Sequence, residues 1–297
     1  MSLKTTVFLA GGSGFIGKNI LEQLGDKYNI IAPDRAELNL LDSEAVLDFF
    51  KKNPVDIVVN SAAEGVYIKN RIDPMITLNN LKIFYNLVRA KKYFNRMVML
   101  GSGAEYDKKQ NLKKTSENDF DRTVPADEYG LYKYICAKFA GEVDYITHLR
   151  LFGVFGKYEN YEIRFISNAI CKVLFNLPIT IRQDVKFDYI FIDDFVKILD
   201  QIIKKKPVEK FINIGRGEDV SLKTLAEMII KEVGVKVPIK ISEPGLGNEY
   251  SCNNSRLLNE MEMIDFTPFS VSISNLVEYY RKILPTLNKK SFIDYER

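Results

Sequence analysis

Near its amino terminus the chain runs VFLAGGSGFIG (residues 7–17), and no other stretch restricts its fold as tightly. Four apolar residues, Val7, Phe8, Leu9 and Ala10, suffice for a buried strand, and residues 18–24 have the pattern of a helix. Between them lie three glycines at regular spacing, Gly11, Gly14 and Gly17. Gly11 permits a sharp turn, Gly14 lets the backbone approach a pyrophosphate, and Gly17 lets the helix pack closely on the strand. The free amides and dipole of the helix start attract phosphate, with Ser13, Phe15 and Ile16 completing the loop. Ordinary glycine usage yields about 0.1 such triplets in a chain of this length. Placement at the first strand–helix junction makes this one a candidate dinucleotide site.

The rest of the chain continues the alternation. Strands are expected at 28–32 (YNIIA), 56–60 (DIVVN), 96–100 (RMVML) and 145–151 (YITHLRL). Helices are expected at 43–52, capped by Ser43, at 78–91 and at 127–141, the last after a polar loop over 107–126. With no hairpin signals between them, these elements predict an α/β fold, a Rossmann doubly wound parallel sheet whose ligands bind beyond the carboxyl ends of the strands. Beyond Gly156 the rhythm loosens into a helix at 163–175, strands at 179–181 and 187–191, helices from 193 and at 222–233, a strand at 238–241 and a closing helix at 273–283. The expected division is a dinucleotide-binding domain over 1–160 and 185–215, and a smaller α/β substrate-binding lobe at the C-terminus over 161–184 and 216–297.

A net charge of +3 over 297 residues gives no argument for nucleic acid, and Lys108, Lys109, Lys113 and Lys114 read as a solvated loop. Three cysteines share no metal-ligand spacing, which fits reduced thiols in a cytoplasmic protein, and Cys136 and Cys171 fall in helical patterns as core residues. The single histidine, His148, lies within an expected strand, which argues against zinc and against histidine catalysis. No signal peptide or segment of membrane-spanning length is expected.

Candidate chemistry gathers where strands end. Tyr129 and Lys133 lie four apart at a helix start, on one face, where an ammonium would lower the phenol pKa for proton exchange with a sugar oxygen. Tyr134 and Lys138 share the spacing, but five residues along a helix turn the face by about 140°, so only one pair can face a cleft. The first is preferred because it follows the loop containing Pro125 directly. Ser102, between two glycines, could hydrogen-bond an oxygen gaining charge during hydride transfer. Asp34 would accept from a free ribose 2′-hydroxyl and Arg35 would pair with a 2′-phosphate, which leaves NAD against NADP open. Asn60, Ala62 and Ala63 end the third strand with small residues suited to an adenine or ribose, and Asn80 is expected to face the same edge. Arg182, Lys186, Arg216 and Arg256 are candidates for a substrate diphosphate.

In combination, GGSGFIG, DIVVNSAA, Asn80, the Ser102 turn and the Tyr129-Gly-Leu-Tyr-Lys133 segment resemble the extended short-chain dehydrogenase/reductases, the NAD-dependent epimerase/dehydratase family. The likeness extends through LRLFGVFG (149–156), FDYIFIDDF (187–195) and FINIGRG (211–217). Segments 36–50 and 100–106 most resemble the nucleotide-sugar epimerase/reductases of the GDP-L-fucose synthase type. The resemblance implies an enzyme with Ser102, Tyr129 and Lys133 as catalytic triad, NAD(P) as cofactor with a slight lean to NADP through Arg35, and a nucleotide-sugar substrate. A homodimer is expected.

Two departures from the family pattern bear on the reaction. Ala104 stands where those epimerase/reductases carry a cysteine, and Arg164 falls at or close to their partner histidine. Gly103 and Ala104 stand where family 4,6-dehydratases carry an Asp-Glu pair, and Glu105 comes one residue late. Chemistry confined to C4 of the sugar is therefore expected, either reduction of a 4-keto group or C4 epimerisation. The alternative is a catalytically silent NAD(P)-binding regulator, which should lack the serine-tyrosine-lysine set.

Overall fold

The computed structural model describes residues 4–64 and 75–293. Strand and helix alternate through β1 (Thr6–Ala10), α1 (Phe15–Leu24), β2 (Asn29–Ile31), α2 (Ser43–Lys52), β3 (Ile57–Asn60), α3 (Ile76–Arg89) and β4 (Arg96–Ser102). Next come β5 (Leu112–Thr115), α4 (Glu128–Gly141), β6 (Ile146–Leu151), β7 (Gly153–Phe155), α5 (Phe165–Leu174), β8 (Ile179–Asp184), β9 (Lys186–Phe187) and β10 (Tyr189–Phe191). The described chain finishes with α6 (Ile192–Lys204), β11 (Phe211–Ile214), β12 (Val220–Ser221), α7 (Leu222–Val233), β13 (Ile239–Leu246), β14 (Tyr250–Cys252), α8 (Ser255–Glu260), α9 (Phe269–Ile283) and α10 (Lys290–Ile293).

Six strands form one parallel sheet in the order β11-β6-β4-β3-β1-β2. The period of two along each strand assigns side chains to the two faces. Val7, Leu9, Ile57, Val59, Val98 and Leu100 join Ile20 and Leu24 of α1 and Phe195 of α6 on one side. Phe8, Ala10, Val58, Met97 and Met99 join Phe50 of α2, Phe84 of α3 and Cys136 of α4 on the other. Helices thus cover both faces, as the expected doubly wound sheet requires. The order reverses between β1 and β3, so the crevice beyond their carboxyl ends is the topological switch point where ligands bind in such sheets.

The structure corrects several local expectations. Asp42, not Ser43, caps α2: its Oδ1 accepts the amides of Glu44 and Ala45 at 3.1 and 3.0 Å, while the Ser43 hydroxyl donates to Asn86. The supposed loop over 107–126 contains β5, which pairs with β14 in a four-stranded sheet ordered β12-β9-β14-β5. The single strand expected at 187–191 is split, β9 entering that sheet and β10 pairing with β7. Asp188 marks the break, fully buried, with its carboxylate accepting the backbone amides of Arg216 and Gly217 at 2.7 and 2.9 Å.

Candidate active site

The glycine loop is built for close backbone approaches. Gly11 has φ +82°, and a Cβ there would sit 2.8 Å from Ala62 backbone atoms; one on Gly17 would lie 2.1 Å from the Gly11 carbonyl oxygen. Gly14 occupies the N-cap of α1 with no side-chain cap, and no acidic residue lies in the first turn. The leading amides of α1 therefore have no side-chain acceptor, and Ser13 and Gly14 are exposed beside them. This is the arrangement a pyrophosphate fits.

The neighbouring expected contacts lie along the same edge. The Asn60 carboxamide accepts the Ala62 amide at 3.2 Å and the Ser61 hydroxyl donates to the Ala10 carbonyl, fixing the end of β3 against β1. Ala63 is exposed next to them. Asn80 is buried in α3 and brackets Glu64, accepting its amide at 2.8 Å and donating to its carbonyl at 2.9 Å. Asp34 Oδ1 is committed to its own turn, accepting the amides of Ala36 and Glu37 at 2.7 and 2.9 Å. The Arg35 side chain is 72% exposed and touches Glu64 at 2.8 Å.

Beyond β4 the chain folds into a short 3-10 turn, Gly103–Tyr106, whose N-cap is Ser102. The Ser102 hydroxyl accepts the Ala104 amide at 3.1 Å, and the Ser102 amide donates to Glu105 Oε1 at 2.8 Å. Helix α4 starts against this turn because Gly130 has no side chain; a Cβ there would lie 2.8 Å from the Ala104 carbonyl oxygen and 2.7 Å from Pro125 Cβ. The close approach sets the Tyr129 phenol beside the Ser102 side chain, which works to lower the phenol's pKa. Lys133 is buried one turn on, its ammonium donating to the Leu100 carbonyl and lying 5.9 Å from the Tyr129 ring centroid. Ser102, Tyr129 and Lys133 are thus brought together. Tyr134 and Lys138 lie on the other face and both bond to Asp121.

The electrostatics differ from the expectation. Burial pushes the Tyr129 phenol above its usual value, and what draws it back is the neighbouring Ser102 side chain and then the charge of Arg164. Burial also holds the Lys133 ammonium below its usual range. At neutral pH Tyr129 is a protonated phenol, able to act as an acid.

Glu105, the acid that came one residue late, is turned away from the cleft. It is fully buried, and His148 Nε2 and Arg150 Nε each approach one of its oxygens at 2.8 Å. Burial works to raise its pKa, but His148 and Arg150 outweigh that and hold it below the usual carboxylate range. Burial keeps the His148 imidazole below its own usual value, so a carboxylate faces a neutral imidazole and a guanidinium. Tyr106, the other ionisable residue of the turn, is buried and donates to Asn213 Oδ1 at 2.7 Å.

The four basic candidates are dispersed. Arg256 reaches Glu209 at 3.2 Å, Glu117 at 3.7 Å and Asn118 at 2.7 Å. Arg216 lies over Phe269, donates to the Thr267 carbonyl at 2.5 Å, and has a buried Nε without a partner among the described residues. Lys186 pairs with Asp219 at 2.9 Å, and Arg182 is 72% exposed beside Glu243 at 3.6 Å. Lys108, assigned above to a solvated loop, lies 5.5 Å from the Tyr129 ring centroid and 3.3 Å from Asp127. Only tertiary folding of the 107–126 segment against α4 could reveal that placement.

Residues 7–215 match the model of the NAD dependent epimerase/dehydratase family. The chain belongs to that family. It is an enzyme of the extended short-chain dehydrogenase/reductase type. Among relatives, GDP-L-fucose synthase of Escherichia coli strain K12 is 26% identical over 270 residues, covering 78% of this chain and 83% of the relative. Two solved structures share the family fold at 19% identity. UDP-glucose 4-epimerase of Thermotoga maritima has a TM-score of 0.83 and covers 94% of this chain and 100% of its own. The GDP-mannoheptose C4 reductase of Campylobacter jejuni, solved with NADP bound, has a TM-score of 0.81 and covers 95% and 99%. In this chain the glycine loop after β1 and Ser102 at the end of β4 lie on one edge of the sheet, with Tyr129 and Lys133 brought to it by α4.

Proposed function

We propose that this family member reduces the 4-keto group of a nucleotide-linked 4-keto-6-deoxy sugar, with GDP the first nucleotide to test given the names of its relatives. The observation that carries the reading is the catalytic turn itself, whose ionisable side chains, Glu105 and Tyr106, are both locked into the core. Inversion at C3 or C5 needs an acid and a base on opposite sugar faces, and elimination of water needs an acid for the leaving hydroxyl. Ala104 cannot ionise and Arg164 stays protonated. Glu159, which burial pushes up to about 7, is enclosed against Ser167 in the first turn of α5.

Hydride transfer at C4 needs none of these groups. The nicotinamide supplies the hydride when bound. Ser102 donates a hydrogen bond to the C4 oxygen as charge develops there, Tyr129 delivers the proton, and the positive field of Arg164 stabilises the phenolate left behind. A protonated Tyr129 suits reduction, the direction that begins with an acid. C4 epimerisation with retained cofactor uses the same groups and is the second reading, favoured by the Thermotoga maritima likeness. The exposed Arg35, beside an Asp34 whose Oδ1 is occupied, supports NADP as cofactor. The test is NADPH consumption with 4-keto-6-deoxy sugars linked to GDP, dTDP, UDP and CDP: stoichiometric oxidation with at least one is expected, and none with any contradicts reduction.

A further inference from the structure

Behind Ser102 lies a charged cluster that the proposed chemistry does not touch. Glu105, His148 and Arg150 have no more than 1% of their surface exposed, and they come from the 3-10 turn and from β6. Burying a carboxylate and a guanidinium costs stability that an apolar trio would not. Room for the cluster depends on Gly101, since a Cβ there would lie 2.2 Å from His148 Nε2 and 2.4 Å from Glu105 Oε1.

We propose that Glu105, held from behind by His148 and Arg150, is a positioning residue that aims the Ser102 hydroxyl into the cleft. The inference rests on the catalytic reading of Ser102 and Tyr129. Glu105 Oε1 accepts both the Ser102 amide and His148 Nε2, each at 2.8 Å, while Oε2 accepts Arg150 Nε at 2.8 Å. With its backbone pinned, Ser102 closes the reciprocal bond, its hydroxyl oxygen accepting the Ala104 amide at 3.1 Å. A hydroxyl has one proton to donate, and with its oxygen engaged by Ala104 and its backbone pinned that proton is left for a substrate oxygen in the cleft beside Tyr129. Glutamine at 105 keeps the size of the side chain but weakens every bond by removing the charge, so the hydroxyl loses its fixed aim.

The experiment is a double-mutant cycle on full-length protein, reading NADPH oxidation with GDP-4-keto-6-deoxymannose and, in parallel, dTDP-4-keto-6-deoxyglucose. Glu105→Gln is expected to lower kcat by about tenfold or more, the scale of a small misplacement near reacting atoms. KM should stay within about threefold, and NADPH affinity, read by fluorescence titration, should be unchanged, because the cofactor loop is built from other elements. In a Ser102→Ala background, Glu105→Gln should change kcat by less than about twofold. His148→Gln loosens the hold on Glu105 without removing the carboxylate and carries the same comparison if Glu105→Gln does not fold. A full loss repeated in the Ser102→Ala background overturns the positioning role and leaves the catalytic reading intact. Turnover unaffected by Ser102→Ala overturns the catalytic reading itself and the proposal with it.

Discussion

Tyr129 shows how much of a residue's role depends on neighbours distant in sequence. The four-residue spacing to Lys133 is visible in the chain, and so is a rival pair at Tyr134 and Lys138. Only the structure shows that Gly130 brings the first pair against the Ser102 turn while Asp121 holds the second on the surface. Tyr129→Phe is expected to lower turnover by about a hundredfold, the usual scale for a lost general acid, with cofactor affinity kept. Tyr134→Phe should do neither; steady-state kinetics and NADPH titration of both variants check this, and the opposite pattern would place the cleft on the other face. The residues at the second strand's end, Asp34 and Arg35, read from the chain as candidate ribose contacts without a choice between the two dinucleotides. Arg35→Ala should weaken NADP binding about tenfold or more, the value of a charged hydrogen bond, and leave NAD nearly unchanged. Asp34→Ala should weaken both dinucleotides, because Asp34 holds the turn through the Ala36 and Glu37 amides. Titrating both variants with both dinucleotides decides it, and equal losses from Arg35→Ala would remove that side chain from the phosphate site.

Elements with a clear local signature could be read directly from the chain: the continuous apolar runs of the sheet strands β1, β3 and β4, and the amphipathic α7. The missed elements depend on distant partners. β5 has the sequence LKKT, which has little strand character alone, and its ladder is formed with β14, more than a hundred residues later. The break between β9 and β10 arises because Asp188 is drawn inward by amides at 216 and 217. The segment between β7 and α5 makes a further prediction. Burial pushes the Glu159 carboxyl from its ordinary 4.5 up to about 7. Between those values the folded protein keeps a proton that the unfolded chain has released, so stability falls as pH rises through the window, by about 1.4 kcal/mol per pH unit at most, and then levels. The lowered His148 pKa works in the opposite sense, removing stability as pH falls below about 6.5. Glu159→Gln removes only the first contribution. Urea unfolding at pH 5, 6, 7 and 8 should show the variant gaining on its parent mostly from pH 5 to 7 and only slightly more by pH 8; a pH-independent difference contradicts the assignment.

For the molecule as a whole, the carboxyl edge of the six-stranded sheet brings together the glycine loop after β1, Asn60 at the end of β3 and Ser102 at the end of β4. That convergence was legible, because a parallel sheet places every strand's last residue on one edge. The direction in which Glu105 points was not. Its sequence position allowed an acid in the cleft, and only the pairing of β4 with β6 sets His148 and Arg150 behind it. That inward turn, together with Ala104 and Arg164, supports the proposed hydride chemistry at C4 with no proton exchange at the flanking carbons. Incubating the enzyme and NADPH with GDP-4-keto-6-deoxymannose in heavy water, and following the sugar by NMR, tests it most directly. The expected product is a C4 alcohol with hydrogen retained at C3 and C5, and enzyme-dependent deuterium at either carbon would overturn the proposed C4 reduction.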